Sequence, residues 1–346
     1  MEAYEMSEPW AASMSGAPWS TDKMHSAVKQ LRNRATIGFV VGADDAEDLL
    51  KLDEQVFSKR PDLILHIYHA EANGRYTDEF LKMLAGLKFV AALHLDLKQR
   101  QDLTRLGAMD RMEFLKLRSP KTQSIDFIRS YKFLKYLELS GKFDDLAPIA
   151  DCIRLDTLVL NCSIDQLDFI VDLPLMKYLA LDSCTLNGSL NVLADSNVSM
   201  LRLSSVRNLV HIDDLTALDH LAFLHLSLPK VERLCDFSHM RNLRQLELDY
   251  MKSLQEIGNL WTADRLEVLM LKEISTRIKA EALDGLTKMD CLRQIDFRFI
   301  DSGKGRIAAL RKGMAEAGKE ALLYENIPEE NRIRSMALEH LSGILM

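Results

Sequence analysis

The chain has 346 residues, 47% of them hydrophobic, with 44 Lys and Arg against 51 Asp and Glu and a net charge of -7. That apolar content supports a sizeable core, and the acidic balance excludes a general nucleic-acid binder, which needs a clustered basic face. No run of about 18 apolar residues occurs, so no membrane span is expected. Five scattered cysteines without C-x-x-C spacing exclude a disulfide framework and a cysteine-based metal site.

Residues 1–20 contain Ser, Pro, Gly and Ala without periodicity and read as a disordered tail, with Trp10 and Trp19 as its unusual content. The acidic start lacks the basic-then-apolar order of a Sec signal, so cytoplasm is the default location, with export by another route left open. "TDKMHSAVKQLRNRA" reads as an amphipathic helix with Met24, Val28 and Leu31 on one face. "ATIGFVV" reads as a strand and "DDAEDLLKLDEQVF" as a helix. Together residues 21–61 are expected to form an N-terminal cap. "TDEFLKMLAG" is a further helix, capped by Thr77 or Asp78 and stopped at Gly86.

From there one pattern, Leu-x-x-Leu-x-Leu, recurs. Its middle positions are Leu93, Leu115, Leu137, Leu158, Leu179, Leu201, Leu224, Leu246, Leu269 and Ile295, in steps of 21 to 26 residues. A weaker match around Leu65 and Ile67 begins the array. Each x-Leu-x-Leu-x stretch reads as a short strand with leucines inward and alternate residues outward. Apolar residues then follow at spacing three, as in Leu254, Ile257 and Leu260, which fits a tight 3₁₀-like turn. No unit can bury its apolar face alone, so units stack.

This period and motif resemble the leucine-rich repeats. The resemblance spans 62–300 and implies an α/β solenoid: a horseshoe with a parallel concave sheet and capped ends. One feature departs from the family pattern. The turn position that often holds Asn or Cys is Lys98, Lys142, Ser163, Cys184, Val206, Pro229, Met251 and Ile274 in eight units, and only Cys184 matches. The turns are therefore expected to be irregular or held by apolar packing. The wide last step, with "IKAEALDGL", is expected to hold a true helix. Residues 301–346 read as a C-terminal cap made of "GRIAALRKGMAEAG" (helix), "EALLYE" (strand) and a short apolar end helix that could also support a dimer.

In such a sheet the outward strand residues form columns. One column runs through Phe114, Tyr136, Tyr178, Met200 and Phe223, and charged residues stand beside it: Arg118, Glu138, Arg202, Glu247 and Asp249. Aromatic and Met anchors with a polar surround describe a protein-binding surface. The competing reading is that these residues pack on one another or lie under the Trp-containing N-terminal tail. The function expected is non-enzymatic recognition of another protein, of adaptor, inhibitor, immunity or effector type.

The alternative is an enzyme system: the solenoid as its substrate receptor, or a hydrolase site on the concave sheet. Ser204, His225 and Asp249 lie on successive rungs, but an open sheet offers no oxyanion hole or pocket. Ligase-type effectors with such repeats carry a reactive cysteine in a separate domain, and residues 301–346 hold none. "FRFIDSGKGRIAAL" lacks the spacing of a phosphate loop, and "VVGADDAEDLL" lacks the second and third glycines of a dinucleotide fingerprint. His66 and His69 have no carboxylate or cysteine at ligand spacing. No catalytic residue, cofactor or metal is expected.

Overall fold

The computed structural model describes residues 13–299, 301, 303 and 305–344. Within them the leucine ladder becomes runs of short parallel strands in two compact units. The first unit takes in the described residues up to Ser163, then Asp168–Met176 and the chain from Leu338. The second takes in Ile164–Leu167 and Lys177–Ala337.

In the first unit β1 (Ser13–Ser15), β2 (Thr36–Val41), β3 (Ile64–His69), β4 (Ala92–Asp96), β5 (Phe114–Gln123), β6 (Tyr136–Phe143) and β7 (Thr157–Ile164) pair in that order, all parallel. The second unit holds β8 (Tyr178–Asp182), a two-residue β9 (Thr185–Leu186), β10 (Met200–Ser204), β11 (Phe223–Ser227), β12 (Gln245–Asp249), β13 (Val268–Lys272) and β14 (Gln294–Arg298). There β8 and β10 to β14 pair in parallel. Leu115 stands beside Leu137 and Leu201 beside Leu224, so the register read from the leucines is the pairing register. Both leucines of each x-Leu-x-Leu-x stretch in β5, β6, β10 and β11 are buried. This is a leucine-rich-repeat-type solenoid, built in each unit by the same rung.

A step of 21 to 23 residues leaves little chain for the return, and 3₁₀ turns make it. The i→i+3 bonds run from Leu106 N to Leu103 O (2.9 Å), Ile128 N to Ile125 O (3.0 Å), Leu215 N to Ile212 O (3.1 Å) and Leu260 N to Ile257 O (2.9 Å). Side chains three apart eclipse in this geometry, which is why the apolar spacing changes after each strand. The wide last step follows the same rule. Ala280–Lys288 is a 3₁₀ run burying Leu283 and Leu286, not the α-helix expected.

The missing asparagines have a backbone substitute. In the second unit Ser183, Ser205, Tyr250 and Glu273 all have φ between 48° and 53°. Each left-handed residue follows a strand, and the first three aim their amides at the next rung. Ser183 N bonds Ser204 O (2.9 Å), Ser205 N bonds Ser227 O (2.9 Å) and Tyr250 N bonds Lys272 O (3.1 Å). The following residue, Cys184, Val206, Met251 or Ile274, is buried. Apolar packing holds these turns, as expected, but they are regular. In the first unit Gly141 takes the equivalent place at φ 121°, where a Cβ would lie 1.8 Å from Ser119 O, so only glycine fits.

The ends differ from the expected boundaries. Residues 1–12, with Trp10, lie outside the described residues. The remainder of the expected disordered tail is built in: Ser13–Ser15 pairs with Thr36–Gly38, and Trp19 is buried. Strand order also begins inside the expected cap, because β2 pairs with β3 over its full length. Helix α1 (Thr21–Gln30) buries Met24 and Ala27. Helix α2 (Ala46–Leu52) continues as a π turn, Asp53–Phe57, and α3 (Asp78–Ala85) is capped by Thr77 and ends at Gly86. In the second unit α4 (Arg306–Glu316) buries Leu310 and Met314. Among the described residues "EALLYE" makes one bridge, Leu323 to Ile295, and local 3₁₀ bonds occupy its backbone. The end helix α5 is Met336–Ser342.

Asp53 shows how the first rungs are secured. Its buried carboxylate accepts the amides of Lys88 (2.7 Å), Phe89 (2.9 Å) and Val90 (3.2 Å), fixing the chain as it enters β4. Asp53→Ala removes the acceptor for three amides and is expected to destabilise the first unit by about 3 kcal/mol. Asp53→Asn, which keeps one acceptor oxygen, is expected to recover part of that. Urea titration followed by circular dichroism measures both, and an alanine variant within about 0.5 kcal/mol of wild type would contradict it.

Candidate interaction surface

The column residues sit where the register puts them. Phe114 pairs with Tyr136 and Tyr136 with Thr157 in the first unit. Tyr178, Met200, Phe223, Gln245, Val268 and Gln294 follow one another in the second. They point away from the leucine core, yet none of the five expected anchors is more than 7% exposed. The expectation of solvent-facing anchors is therefore corrected. The Phe114 and Tyr136 rings stack at 4.3 Å with an interplanar angle of 7°. For Phe114 and Tyr136, mutual packing is part of the reason they are dry, and Ile344 of the C-terminal segment packs against both.

In the second unit that segment is held by two glutamines of the column. Gln294 accepts Ile333 N (2.8 Å) and donates its Nε2 to Ile333 O (3.0 Å), a two-bond clamp on one residue's backbone. Gln245 Oε1 accepts Met336 N at 2.9 Å. In the first unit Ile344 packs into a cluster with Ile64, Ala92, Phe114 and Tyr136, and Leu341 and Val159 pack against it. His340 Nε2 lies 2.7 Å from Thr157 Oγ1. The Thr157 proton goes to Asp156 (2.7 Å), so His340 is the donor. Arg34 donates to the carbonyls of Ser342 and Ile344. In the first unit the end helix thus places His340 and Leu341 against column residues.

The charged neighbours are mostly engaged with one another. Glu138 accepts the Tyr136 hydroxyl (2.8 Å) and pairs with Lys116 (3.2 Å), while Arg202 pairs with Asp182 (3.2 Å) and Asp249 with Lys272 (3.9 Å). Arg118 is exposed. Glu247, expected to steer a partner, is buried. It bonds His225 Nδ1 (3.0 Å) and accepts Gln245 Nε2 (3.0 Å). A carboxylate only accepts, so it turns the Gln245 amide to leave Oε1 free for Met336. Glu247 thus acts on the segment through Gln245, a role that column position alone did not reveal.

Of the Ser204, His225 and Asp249 series, His225 pairs with Glu247 and Asp249 with Lys272. Burial pushes the thiols of Cys152, Cys184 and Cys235 up to about 12, 11 and 12, far from nucleophilic range. A cluster the sequence reading missed does assemble. His66, His94 and Asp96 bring three donor atoms within 4.8 Å of one another. The expectation at His66 and His69 considered residues near in sequence; the partners come from the neighbouring strand, 28 and 30 residues on. The signal was present in the repeat step that aligns Leu65 with Leu93.

No family model matches the chain, and no curated protein matches it significantly in sequence. Among solved structures it is similar to an internalin of Listeria monocytogenes, at 15% identity and a TM-score of 0.49, over 89% of this chain and 86% of that one. A leucine-rich-repeat protein of Leptospira interrogans aligns over 91% of this chain and 97% of its own, at 13% identity and a TM-score of 0.40. The fold assignment rests on the strand ladder itself. Among the described residues no helix is long and apolar enough to cross a membrane.

Proposed function

We propose that the chain is a non-enzymatic recognition protein that binds a peptide-like segment of another protein along the column face, in place of its own C-terminal segment. One observation carries this reading: in each unit the column already holds a piece of chain. Gln294 and Gln245 grip backbone groups of Ile333 and Met336, and an apolar pocket of Ile64, Ala92, Phe114 and Tyr136 takes Ile344. Backbone bonds give affinity for any extended or helical segment, and the pockets select its apolar side chains. In the first unit Arg118 stands on the strand of the anchor Phe114, next to that of Tyr136, and in the second Arg202 and Asp249 stand on the strands beside the anchors Tyr178, Met200 and Phe223; these charges set which partners approach.

The test uses the segment itself. A labelled peptide of residues 329–346 is expected to bind saturably to the chain shortened at residue 328, and not to the full chain. Proteins retained by the shortened chain on a column are expected to be eluted by that peptide. A folded shortened chain that ignores the peptide would defeat the reading.

A further inference from the structure

A second site stands on β3 and β4, built from residues that recognition does not use. Register places His66 beside His94, and their imidazoles lie parallel, 3.9 Å apart with an interplanar angle of 4°. Asp96 stands two residues beyond His94 and so on the same face. Its carboxylate faces both rings: Oδ2 is 3.1 Å from His66 Nε2, and Oδ1 is 3.3 Å from His94 Nε2. All three side chains are between 16% and 23% exposed, deep enough to be fixed and open enough to be reached. Tyr76 donates to the Asp96 carbonyl at 2.6 Å and pins the end of the strand that carries the cluster.

The geometry of the cluster suits a cation. Two rings stacked so closely would repel if both were charged. Asp96 Oδ1 is shut off from solvent and makes no well-aligned hydrogen bond among the described residues. Of the register neighbours that His94 and Asp96 meet on β5, Lys116 has its ammonium drawn to Glu138 at 3.2 Å, and Arg118 is exposed.

We propose that His66, His94 and Asp96 form a binding site for a divalent transition metal of the zinc class. Two imidazole nitrogens and one carboxylate oxygen match its donor preference, and three protein ligands leave one position for water. Each ring would offer its Nε2 lone pair and carry its proton on Nδ1. The ion would join β3 to β4 and so add to the stability of the first unit's sheet.

The full chain, freed of metal by chelator and dialysed, is titrated with zinc chloride in a calorimeter at neutral pH. One equivalent is expected to bind. His66→Ala and His94→Ala are each expected to weaken it by more than the roughly 10–100-fold typical of losing an outer-shell partner. His239→Ala, an exposed histidine elsewhere, is expected to change nothing. Cobalt at the same site is expected to give a visible spectrum that the two alanine variants lose. No binding, or binding equal in both variants, overturns the proposal. Should the alanine variants fail to fold, Asp96→Asn keeps the side-chain shape and decides the matter: undiminished zinc affinity in it also overturns the site.

Discussion

Glu247→Ala is expected to destabilise the second unit by about 3–4 kcal/mol, the usual cost of breaking a buried pair from one side. The carboxylate is almost fully buried and has two donors, His225 Nδ1 and Gln245 Nε2, each at 3.0 Å. Alanine leaves both facing a cavity. It also removes what orients the Gln245 amide, so the bond from Met336 N loses its fixed acceptor. The variant is therefore expected to lose amide protection at Met336 before the strands open. Glu247→Gln separates charge from hydrogen bonding. It retains one acceptor for Gln245 and one group toward His225, and about 1–2 kcal/mol is expected to be lost. Calorimetry with hydrogen exchange reads both. An alanine variant of wild-type stability would mean that the linkage from His225 to Met336 holds nothing.

The strand ladder was legible because its cause is local and repeated. A leucine pair on one strand face must meet the pair on the next rung, so Leu201 over Leu224 could be read from spacing alone. The column face followed from alternation, and the expected neighbours from Ala92 to Thr157 and from Tyr178 to Gln294 are pairing partners. What lies on that face was not legible. "SMALEHLSGILM" shows apolar Leu338, Leu341 and Ile344 at spacing three, which says that the segment needs a cover and not where it finds one. The contact between Ile344 and Ile64 joins residues 280 apart, and no periodicity carries that information. Glu247 was misread for the same reason. An outward position on a strand looks solvated until a distant segment closes over it. His66 and His94 lay on aligned rungs, but the first rung matched the motif too weakly for its outward residues to be placed in columns. The turns failed to show their signal differently: left-handed Ser183, Ser205, Tyr250 and Glu273 share a conformation, not a residue type.

Ile344→Asp is expected to release the C-terminal segment from the first unit without unfolding the strands. Ile344 is 6% exposed in its pocket of Ile64, Ala92, Phe114 and Tyr136, where a carboxylate would lose its water and gain no partner. The segment, held there by this pocket and by a few bonds from Thr157 and Arg34, is the part able to yield, since β4, β5 and β6 keep their own ladder and leucine core. The loss in stability is expected to stay near the burial of one isoleucine, about 2–3 kcal/mol. Amides of residues 338–344 are expected to exchange freely while those of Leu115, Leu117, Leu137 and Leu139 stay protected. A dye that fluoresces on apolar surfaces should then bind, because the stacked Phe114 and Tyr136 rings are uncovered. Ile344→Val, which keeps the pocket filled, should show neither change. If the strand amides lose protection together with the segment, the segment is core and not occupant, and the face beneath it is no surface for a partner. If the strands hold and the dye binds, residues 338–344 are a removable ligand of their own sheet, and whatever displaces them must carry apolar side chains of similar spacing.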